Sequence, residues 1–414
     1  MKKASPWRVL LPTAVGTCFS LFGDASLYTV LPTHTTAVGV SVASVGVLLS
    51  VNRFIRLILN GPVGMAYDRW RHRPLFLSAL FVGALSTAMY GLTRGFWPLL
   101  LGRLLWGLAW AGIWVGGNTI VLDISSDETR GRWVGLYQVS FFLGASGGAL
   151  LGGFLTDGLG YHRTMLINAA LTLLGAVCAL VLLPETHGLK RDTVGGPVDT
   201  DRLLPVSNGV RGAGFVPAAA LYAVNRLLQA GFLYSTLGLF LLAQMGRQVR
   251  IAGFSLGVAT LTGLGLGLFR LISMISSPLM GGLSDRVGNR WMVVAGGLLP
   301  GIIGFVLLAV GLPMATLFGV FLTAIAGGSN QGLSTALIGD LGNGGRRGRR
   351  LGALFTIGDL ASAVGPLLAY ALMPLIGLEN IYWLGAGLFA SMFLIALGMG
   401  GGLICRPSSA EEKA

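Results

Sequence analysis

The sequence contains little charge. Asp, Glu, Lys and Arg make up 11 % of its residues, whereas soluble globular proteins carry about a quarter. Acidic residues are the scarcer kind, with 16 Asp and Glu against 29 Lys and Arg. Hydrophobic residues account for 53 % of the chain, and the mean hydropathy is +0.75. This composition excludes a soluble protein and predicts a membrane protein.

Cysteine is also rare. Cys18, Cys178 and Cys405 have no metal-ligand spacing, and two of them lie in apolar runs, where a packed thiol is the better interpretation. The sequence has no Walker-type glycine loop, which argues against ATP as an energy source. We therefore expect no cofactor, no metal site and no enzymatic activity.

What the sequence does have is a series of long apolar runs. Each approaches the roughly 20 residues that cross a hydrocarbon core about 30 Å thick. Barrel strands would alternate over about 10 residues, so helices are expected instead. The predicted fold class is an all-α polytopic membrane protein with twelve transmembrane helices. They are expected at 9–32, 41–66, 74–93, 96–122, 133–155, 162–183, 216–243, 252–283, 291–311, 313–339, 351–376 and 380–404.

A linker and an internal repeat divide the chain into halves. Residues 184–215 are rich in Gly, Pro, Asp and Arg and predict a cytoplasmic linker. It separates a six-helix bundle at 1–183 from a second at 216–414. A shift of 217 residues carries Asp68 onto Asp285, and other positions match at the same offset. We therefore expect two pseudo-symmetric halves. The further matches are Arg53 with Arg270, Asp123 with Asp340, Gly148 with Gly365, and Arg130-Gly131-Arg132 with Arg347-Gly348-Arg349.

The basic residues predict the orientation. Although the formal net charge is +13, these residues lie in short loops between apolar runs, which argues against a nucleic-acid partner. Of the 29 Lys and Arg, five lie deep inside predicted helices, and four lie in loops or at helix ends on one side. The remaining twenty lie on the other side. This asymmetry predicts a multi-pass protein of the cell (inner) membrane with both termini cytoplasmic. The four are Arg94, Arg163, Arg247 and Arg250.

Charged loop sequences then indicate a family. Residues 281–290 read Gly-Gly-Leu-Ser-Asp-Arg-Val-Gly-Asn-Arg, and residues 64–73 are an irregular copy, with Arg71 where glycine is usual and His72 where a basic residue is usual. Together with two six-helix halves, these loops resemble the major facilitator superfamily. Arg103 to Gly107 in helix 4 look like the family's R-x-x-Q-G pattern, with Trp106 replacing glutamine. Glycines in helix 5 look like the signature of the drug-proton antiporter branch, with Ala149 replacing proline; they are Gly144, Gly148, Gly152 and Gly153.

The resemblance implies a gating role for the charged loops. Asp68 and Asp285 are expected to form cytoplasmic clasps with neighbouring arginines. The alternative is that these arginines only set the topology. The gating candidates are Asp68, Arg69, Arg73, Arg130, Asp285, Arg286, Arg290 and Arg347.

Polar residues inside predicted helices are candidates for a transport site, because they are costly to place in a membrane. Asp24 is expected to carry the proton, Asp359 competes with it unless it forms a fixed salt bridge, and Arg103 matches a pattern linked to proton coupling. Arg56 and Arg226 have no repeat mate, which favours substrate contact. The other substrate-binding candidates are Tyr28, Asn52, Trp106, Trp110, Asn118, Asn225, Gln229, Asn330 and Gln331.

The expected function is proton-coupled efflux of a small amphipathic solute by alternating access. The partners would be a small-molecule substrate, protons and the lipid bilayer, and the protein would be a monomer. The alternative is a facilitator or importer of an organic anion, which the excess of intramembrane arginines favours. A remote alternative is an intramembrane serine protease, because Gly144-Ala145-Ser146-Gly147 matches the serine motif of rhomboids. That chemistry requires a histidine base in a neighbouring helix, and the four histidines fall at predicted helix ends or in loops.

Overall fold

The computed structural model describes residues 5–126, 129–187, 214–251, 254–340 and 347–401. Twelve long helices follow one another in this part of the chain. They are α1 (Pro6–Val30), α2 (Val42–Arg69), α3 (His72–Leu92), α4 (Phe96–Asp123), α5 (Arg130–Leu159), α6 (Tyr161–Leu182), α7 (Phe215–Met245), α8 (Val258–Val287), α9 (Arg290–Val310), α10 (Pro313–Asp340), α11 (Arg347–Ile376) and α12 (Leu378–Gly400).

Eleven of these helices, within the described residues, are long and apolar enough to cross a membrane. The twelfth, α10, has 28 residues and carries the polar run Ser329-Asn330-Gln331. The prediction of an all-helical polytopic membrane protein is confirmed.

The predicted helices 7 and 8 need correction. α7 is not continuous, because Leu227–Leu233 form a π-helical segment between two α-helical stretches. α8 begins at Val258 instead of residue 252, because an antiparallel hairpin precedes it, made of β1 (Gln248–Ile251) and β2 (Phe254–Gly257). Val249 of β1 pairs with Leu256 of β2.

The helices form two compact units that do not follow chain order. Unit 1 combines α1–α6 with Tyr234–Leu271 and Pro366–Ala371. Unit 2 combines α7 up to Leu233 with Ile272–Gly365 and the chain from Leu372 onward. The predicted halves at 1–183 and 216–414 remain a prediction, and most of the predicted linker, residues 188–213, lies outside the described residues.

Unit 1 has a core of large apolar side chains from α1, α3, α4 and α6. Leu21, Phe76, Trp106 and Ala176 are members of this cluster. In unit 2, α9 packs against both α10 and α12. We use "basic end" for the helix ends that carry the α2–α3, α4–α5, α8–α9 and α10–α11 connections, and "opposite end" for the other helix ends.

Candidate functional site

The first candidate site, in unit 1, is a buried ion pair between α1 and α4. Arg103 is fully buried, and its NH1 group donates to Oδ1 of Asp24 at 2.5 Å. Its Nε donates to the carbonyl oxygen of Leu48 at 2.8 Å. A buried guanidinium needs such partners, because an uncompensated charge in apolar surroundings is strongly unfavourable. The Asp24 side chain is 17 % exposed, so it is the member of the pair that water or a solute can reach.

Tyr28 joins this cluster through its ring and its hydroxyl group. The hydroxyl donates to the carbonyl oxygen of Leu49 at 2.7 Å and accepts a hydrogen bond from NH2 of Arg103 at 3.4 Å. The Cζ atoms of Arg53 and Arg103 lie 5.2 Å and 5.3 Å from the ring centroid, within cation–π range. α1, α2 and α4 therefore meet at Tyr28.

α2 carries two further candidates besides Arg53, namely Asn52 and Arg56. Asn52 is buried, and its Oδ1 atom has no hydrogen-bond partner among the described residues. Arg56 is half-buried one turn further along. On α4, Asn118 is also half-buried, and its Nδ2 donates to the carbonyl oxygen of Trp114 at 2.7 Å.

The tryptophans of α4 form a stack. The rings of Trp106 and Trp110 have centroids 5.8 Å apart, and those of Trp110 and Trp114 are 5.5 Å apart. Trp106 and Trp110 are buried within the apolar core of unit 1, and Trp114 is partly buried and stacks on Tyr137. Trp106 and Trp110 therefore have a packing role here, and substrate contact by them stays a prediction.

A second candidate site lies in unit 2, where α7 meets α10 and α11. Arg226 NH2 lies 3.7 Å from Oδ1 of Asp359, and each side chain is 21 % exposed. Asp359 is thus paired with an arginine. A salt bridge of this kind was the alternative to a proton-carrying role for Asp359. This pair is longer and more exposed than the pair of Asp24 with Arg103.

Three buried amide side chains in unit 2 have unused acceptors. The amide nitrogens of Asn225, Gln229 and Asn330 donate to the carbonyl oxygens of Gly327, Thr323 and Gly297 at 3.1, 2.9 and 3.4 Å. Their side-chain oxygens are buried and have no hydrogen-bond partner among the described residues. Buried polar atoms are normally satisfied, so these oxygens could accept hydrogen bonds from a ligand or water. Gln331, the neighbour of Asn330, is exposed.

The π-helical segment of α7 begins directly after Arg226. It passes close to α11, where a Cβ atom on Gly365 would overlap the Cα atom of Gly231. Wide turns of this kind occur frequently at functional sites. The sequence pattern did not predict it, because apolar periodicity does not distinguish a π turn inside a long helix.

At the basic end, Arg290 connects two acidic residues in unit 2. Its NH1 lies 2.9 Å from Oδ1 of Asp285, and its Nε donates to Asp340 at the end of α10. The neighbouring Asn289 donates to the carbonyl oxygen of Gly400 at the end of α12 at 3.0 Å. The α8–α9 connection is thereby attached to two other helix ends.

The matching α2–α3 connection in unit 1 uses different side chains. His72 Nδ1 lies 2.7 Å from Oδ2 of Asp123, the repeat mate of Asp340. Arg73, the repeat mate of Arg290, donates instead to the carbonyl oxygen of Leu180 at 2.6 Å. The irregular residue His72 therefore replaces an arginine as the partner of the α4 carboxylate.

The remaining gating candidates are Asp68 and four arginines. Asp68 is exposed, as are the arginines at three other predicted positions. The gating role of all these residues stays a prediction, and the side chain of Arg347 lies outside the described residues. The exposed arginines are Arg69, Arg130 and Arg286.

Glu185, which the sequence reasoning missed, holds the α2–α3 connection to the end of α6. Its Oε1 accepts hydrogen bonds from the backbone N–H groups of His72, Thr186 and His187 at 3.0, 3.0 and 2.9 Å. Burial alone would raise the pKa of Glu185, but these N–H groups, together with that of Arg73, lower its pKa below the ordinary value. The sequence did contain one indication of this role, because Glu185 is a single acidic residue directly after an apolar helix.

The sequence matches the family model of the Major Facilitator Superfamily over residues 13–269 and 251–401. The chain belongs to this superfamily. It is therefore a membrane transporter of small molecules and not an enzyme, and the intramembrane protease alternative is wrong. Among the described residues, no group of three or more His, Cys, Asp or Glu could hold a metal ion.

Curated relatives and solved structures agree with this assignment. The chain is 29 % identical over 329 residues to the class G tetracycline resistance protein of Vibrio anguillarum, covering 78 % of each chain. It resembles the crystal structure of a bacterial homolog of the human lysosomal transporter Spinster, with a TM-score of 0.72, 19 % identity and coverage of 97 % and 91 %. The human organic anion transporter MFSD10 (TETRAN) gives a TM-score of 0.64 at 22 % identity, with coverage of 95 % and 100 %. The resemblance to the drug-proton antiporter branch is thus confirmed.

Proposed function

We propose that this transporter couples the efflux of a small amphipathic solute to proton entry by alternating access. The observation that supports the proposal is the ion pair of Asp24 with the fully buried Arg103. Asp24 lies 2.5 Å from Arg103, whereas Asp359 lies 3.7 Å from Arg226, and the Asp24 side chain keeps partial access to its surroundings.

The proposed coupling follows from competition for one carboxylate. A proton on Asp24 removes the anionic partner of Arg103, while Leu48 O and Tyr28 OH still hold the guanidinium. A cationic or hydrogen-bond-donating group of the solute can also pair with the ionised Asp24. Because the proton and the solute exclude each other at this carboxylate, an alternating protein would exchange one for the other.

The proposed solute is a small molecule with polar groups on an apolar framework. In unit 2, the free acceptor oxygens of Asn225 and Gln229 support hydrogen-bond donors on the solute. The relative from Vibrio anguillarum is named for tetracycline resistance, which makes tetracycline a rational first solute to test. We further propose a monomer in the cell (inner) membrane, with both termini cytoplasmic.

The test is solute flux in proteoliposomes with an imposed pH gradient, using cationic, zwitterionic and anionic solutes. The wild-type protein should accumulate its solute when the gradient is imposed. Asp24→Asn cannot bind the proton, so it should lose gradient-driven accumulation by at least about tenfold. It should retain exchange of solute for solute at saturating solute, because that exchange requires no proton release. The apparent affinity should fall, because Asn cannot offer a negative charge to the solute.

Glu379→Gln is the matched control, because Glu379 is an exposed acid at the start of α12. Its flux should equal that of the wild type. Asp359→Asn tests the competing carboxylate in the same assay. If Asp24→Asn retained gradient-driven accumulation, the proposed proton site would be wrong; if Asp359→Asn alone lost it, coupling would lie in unit 2.

A second candidate function is facilitated transport or import of an organic anion. The half-buried Arg56 and the incompletely paired Arg226 favour it, because Nε of Arg226 has no hydrogen-bond partner among the described residues. The same vesicle assay separates the two functions. Flux of anions that is independent of the pH gradient and is lost in Arg226→Gln would support the second function.

A further inference from the structure

At the opposite end of unit 1, the carboxylate of one helix caps the first turn of another. Asp157, near the end of α5, accepts two hydrogen bonds from Thr260, the third residue of α8. Its Oδ2 atom lies 2.7 Å from the backbone nitrogen and 2.6 Å from the hydroxyl oxygen of Thr260. An N–H group in the first turn of a helix has no partner within the helix, and a carboxylate is a favourable acceptor there.

This cap is unusual because it comes from a residue 103 positions away. α2, the repeat mate of α8, is capped locally by Ser41, whose hydroxyl accepts from the backbone nitrogen of Ser44 at 3.3 Å. In the second half, the position that matches Asp157 by the 217-residue offset is Pro374, which has no side-chain acceptor. The carboxylate cap is therefore a feature of α5 and α8, and the matching position in the second half cannot supply one.

The surface beneath this cap consists of small residues. A Cβ atom on Gly153 of α5 would overlap the carbonyl group of Ala259 in α8, and one on Gly263 would overlap the carbonyl oxygen of Ala149. Further along, the hydroxyl of Ser146 donates to the carbonyl oxygen of Gly267 at 3.0 Å. Small residues let helix backbones pack closely and slide or separate with little obstruction. A directional polar contact at the end of such a pair is then well placed to hold it closed.

Water can reach the cap from one side. A cavity of about 280 Å³ lies next to it and is lined by Asp157, Thr33, His34, Thr156 and Arg247, among others. The hydroxyl of Thr156 is buried without a hydrogen-bond partner among the described residues. Water in this cavity can replace the acceptor and donor when the helices separate, so the contact can break and form again.

We propose that Asp157 and Thr260 form a latch that holds α5 to the start of α8 at the opposite end and opens once in each transport cycle. Asp157 is then a positioning residue: it touches no solute and acts by stabilising one of the two alternating states. This inference rests on the proposed alternating access. Gly257 belongs to the latch as well, because a Cβ atom there would overlap the carboxyl group of Asp157.

The first experiment measures the latch without any solute. Hydrogen exchange of the backbone amides at the start of α8 is followed by mass spectrometry in lipid nanodiscs. Asp157→Ala should accelerate exchange there about fivefold, since a helix-capping side chain contributes about that factor. Gly257→Ala should act in the same direction because it displaces the carboxyl group. Ser41→Ala is the matched control: it should accelerate exchange at the start of α2 and leave α8 unchanged.

The second experiment tests whether the latch must open. Asp157→Cys and Thr260→Cys are combined in a protein whose native cysteines are replaced by serine, and the pair is oxidised. Oxidation should abolish solute flux in the double cysteine variant, and reduction should restore it to the level before oxidation. Oxidation should leave the flux of each single cysteine variant unchanged.

The outcomes separate this inference from the proposed function. Unchanged exchange at α8 in Asp157→Ala, or full flux through the cross-linked protein, would overturn the latch even if transport is proton-coupled. Conversely, accelerated exchange together with flux that ignores the pH gradient would support the latch and reject proton coupling.

Discussion

Each of the two intramembrane carboxylates pairs with an arginine of its own unit, but the two pairs differ. Asp24 meets an arginine that is fully buried and makes three hydrogen bonds. Asp359 lies 3.7 Å from Arg226, and both side chains keep 21 % exposure. Removing one member of a buried pair leaves an uncompensated charge, so Arg103 constrains Asp24 more strongly than Arg226 constrains Asp359.

A residue-scale prediction concerns Glu185→Gln. The pKa of Glu185 is below its ordinary value, so its ionised form stabilises the folded state. This contribution is complete above the ordinary pKa of about 4.3 and is lost as the pH falls through the lower folded-state pKa. Glu185→Gln should therefore lower the Tm by a few degrees, about 2 to 4 °C, at pH 7. Thermal unfolding in detergent between pH 3.5 and 8 measures it.

The pH dependence of this Tm difference tests whether the charge of Glu185 causes the stabilisation. The Tm difference between wild type and Glu185→Gln should shrink as the pH falls below the ordinary pKa of about 4.3 toward the lower folded-state pKa. Glu379→Gln, which changes an exposed acid, should lower the Tm by less at pH 7. A Tm difference for Glu185→Gln that stayed constant down to pH 3.5 would refute the charge-based explanation.

Individual site residues could be predicted from the sequence where an ionisable group lies inside an apolar run. Asp24, Arg103, Arg226 and Asp359 were all visible in that way, and the structure pairs them within units. It could not predict which arginine joins which acid, because partners come from different helices. Glu185 was missed because it lies outside the apolar runs, and its role depends on N–H groups of two separate segments.

At the scale of elements, the contact of α7 with α11 leads to the next prediction. Gly365→Ala places a methyl group against the Cα of Gly231, which is backbone and cannot turn aside. Overpacking of this kind costs about 1 to 3 kcal/mol, so the Tm should fall. Transport should fall as well, because the displaced π-helical segment directly follows Arg226. Thermal unfolding and vesicle flux on the same preparation measure both effects.

Gly352→Ala is the matched control in the same helix, because a Cβ atom there has no neighbour within 4 Å. Its Tm should stay equal or rise slightly, since alanine favours helix more than glycine by about 1 kcal/mol. Equal behaviour of the two variants would show that the close approach of α7 and α11 has no energetic importance.

The number and order of the membrane helices could be predicted, because each requires one long apolar run and lipid leaves few alternatives. The start of α8 could not. Residues 248–257 are nearly as apolar as the helix that follows, so hydropathy extends the helix backward. Their alternation, with Val249 and Ile251 two positions apart, was the signal for a strand.

At the scale of the whole molecule, the 217-residue repeat predicts which positions correspond but not how they are used. Asp123 and Asp340 occupy matching places at the ends of α4 and α10, yet one contacts a histidine and the other an arginine. The compact units also depart from chain order. The cause is packing between segments that are distant in sequence, such as α5 and the start of α8 in unit 1.

The different use of matching positions leads to a prediction in which one aspartate is the control for the other. Asp285 pairs with Arg290, whereas its repeat mate Asp68 is exposed. Asp285→Asn should reduce solute flux several-fold, and Asp68→Asn should reduce it less. The comparison uses initial flux rates at equal protein density in vesicles.

Stability should hardly change in either variant. The Asp285 side chain is 66 % exposed, and exposed ion pairs contribute about 0 to 1 kcal/mol. A loss of flux without a loss of Tm would therefore come from a shifted balance between transport states, since a few tenths of a kcal/mol matter when two states have similar energy. If instead both variants transported at the wild-type rate, the charged loops would serve topology alone, and the arginines around Asp285 would be explained by the positive-inside rule.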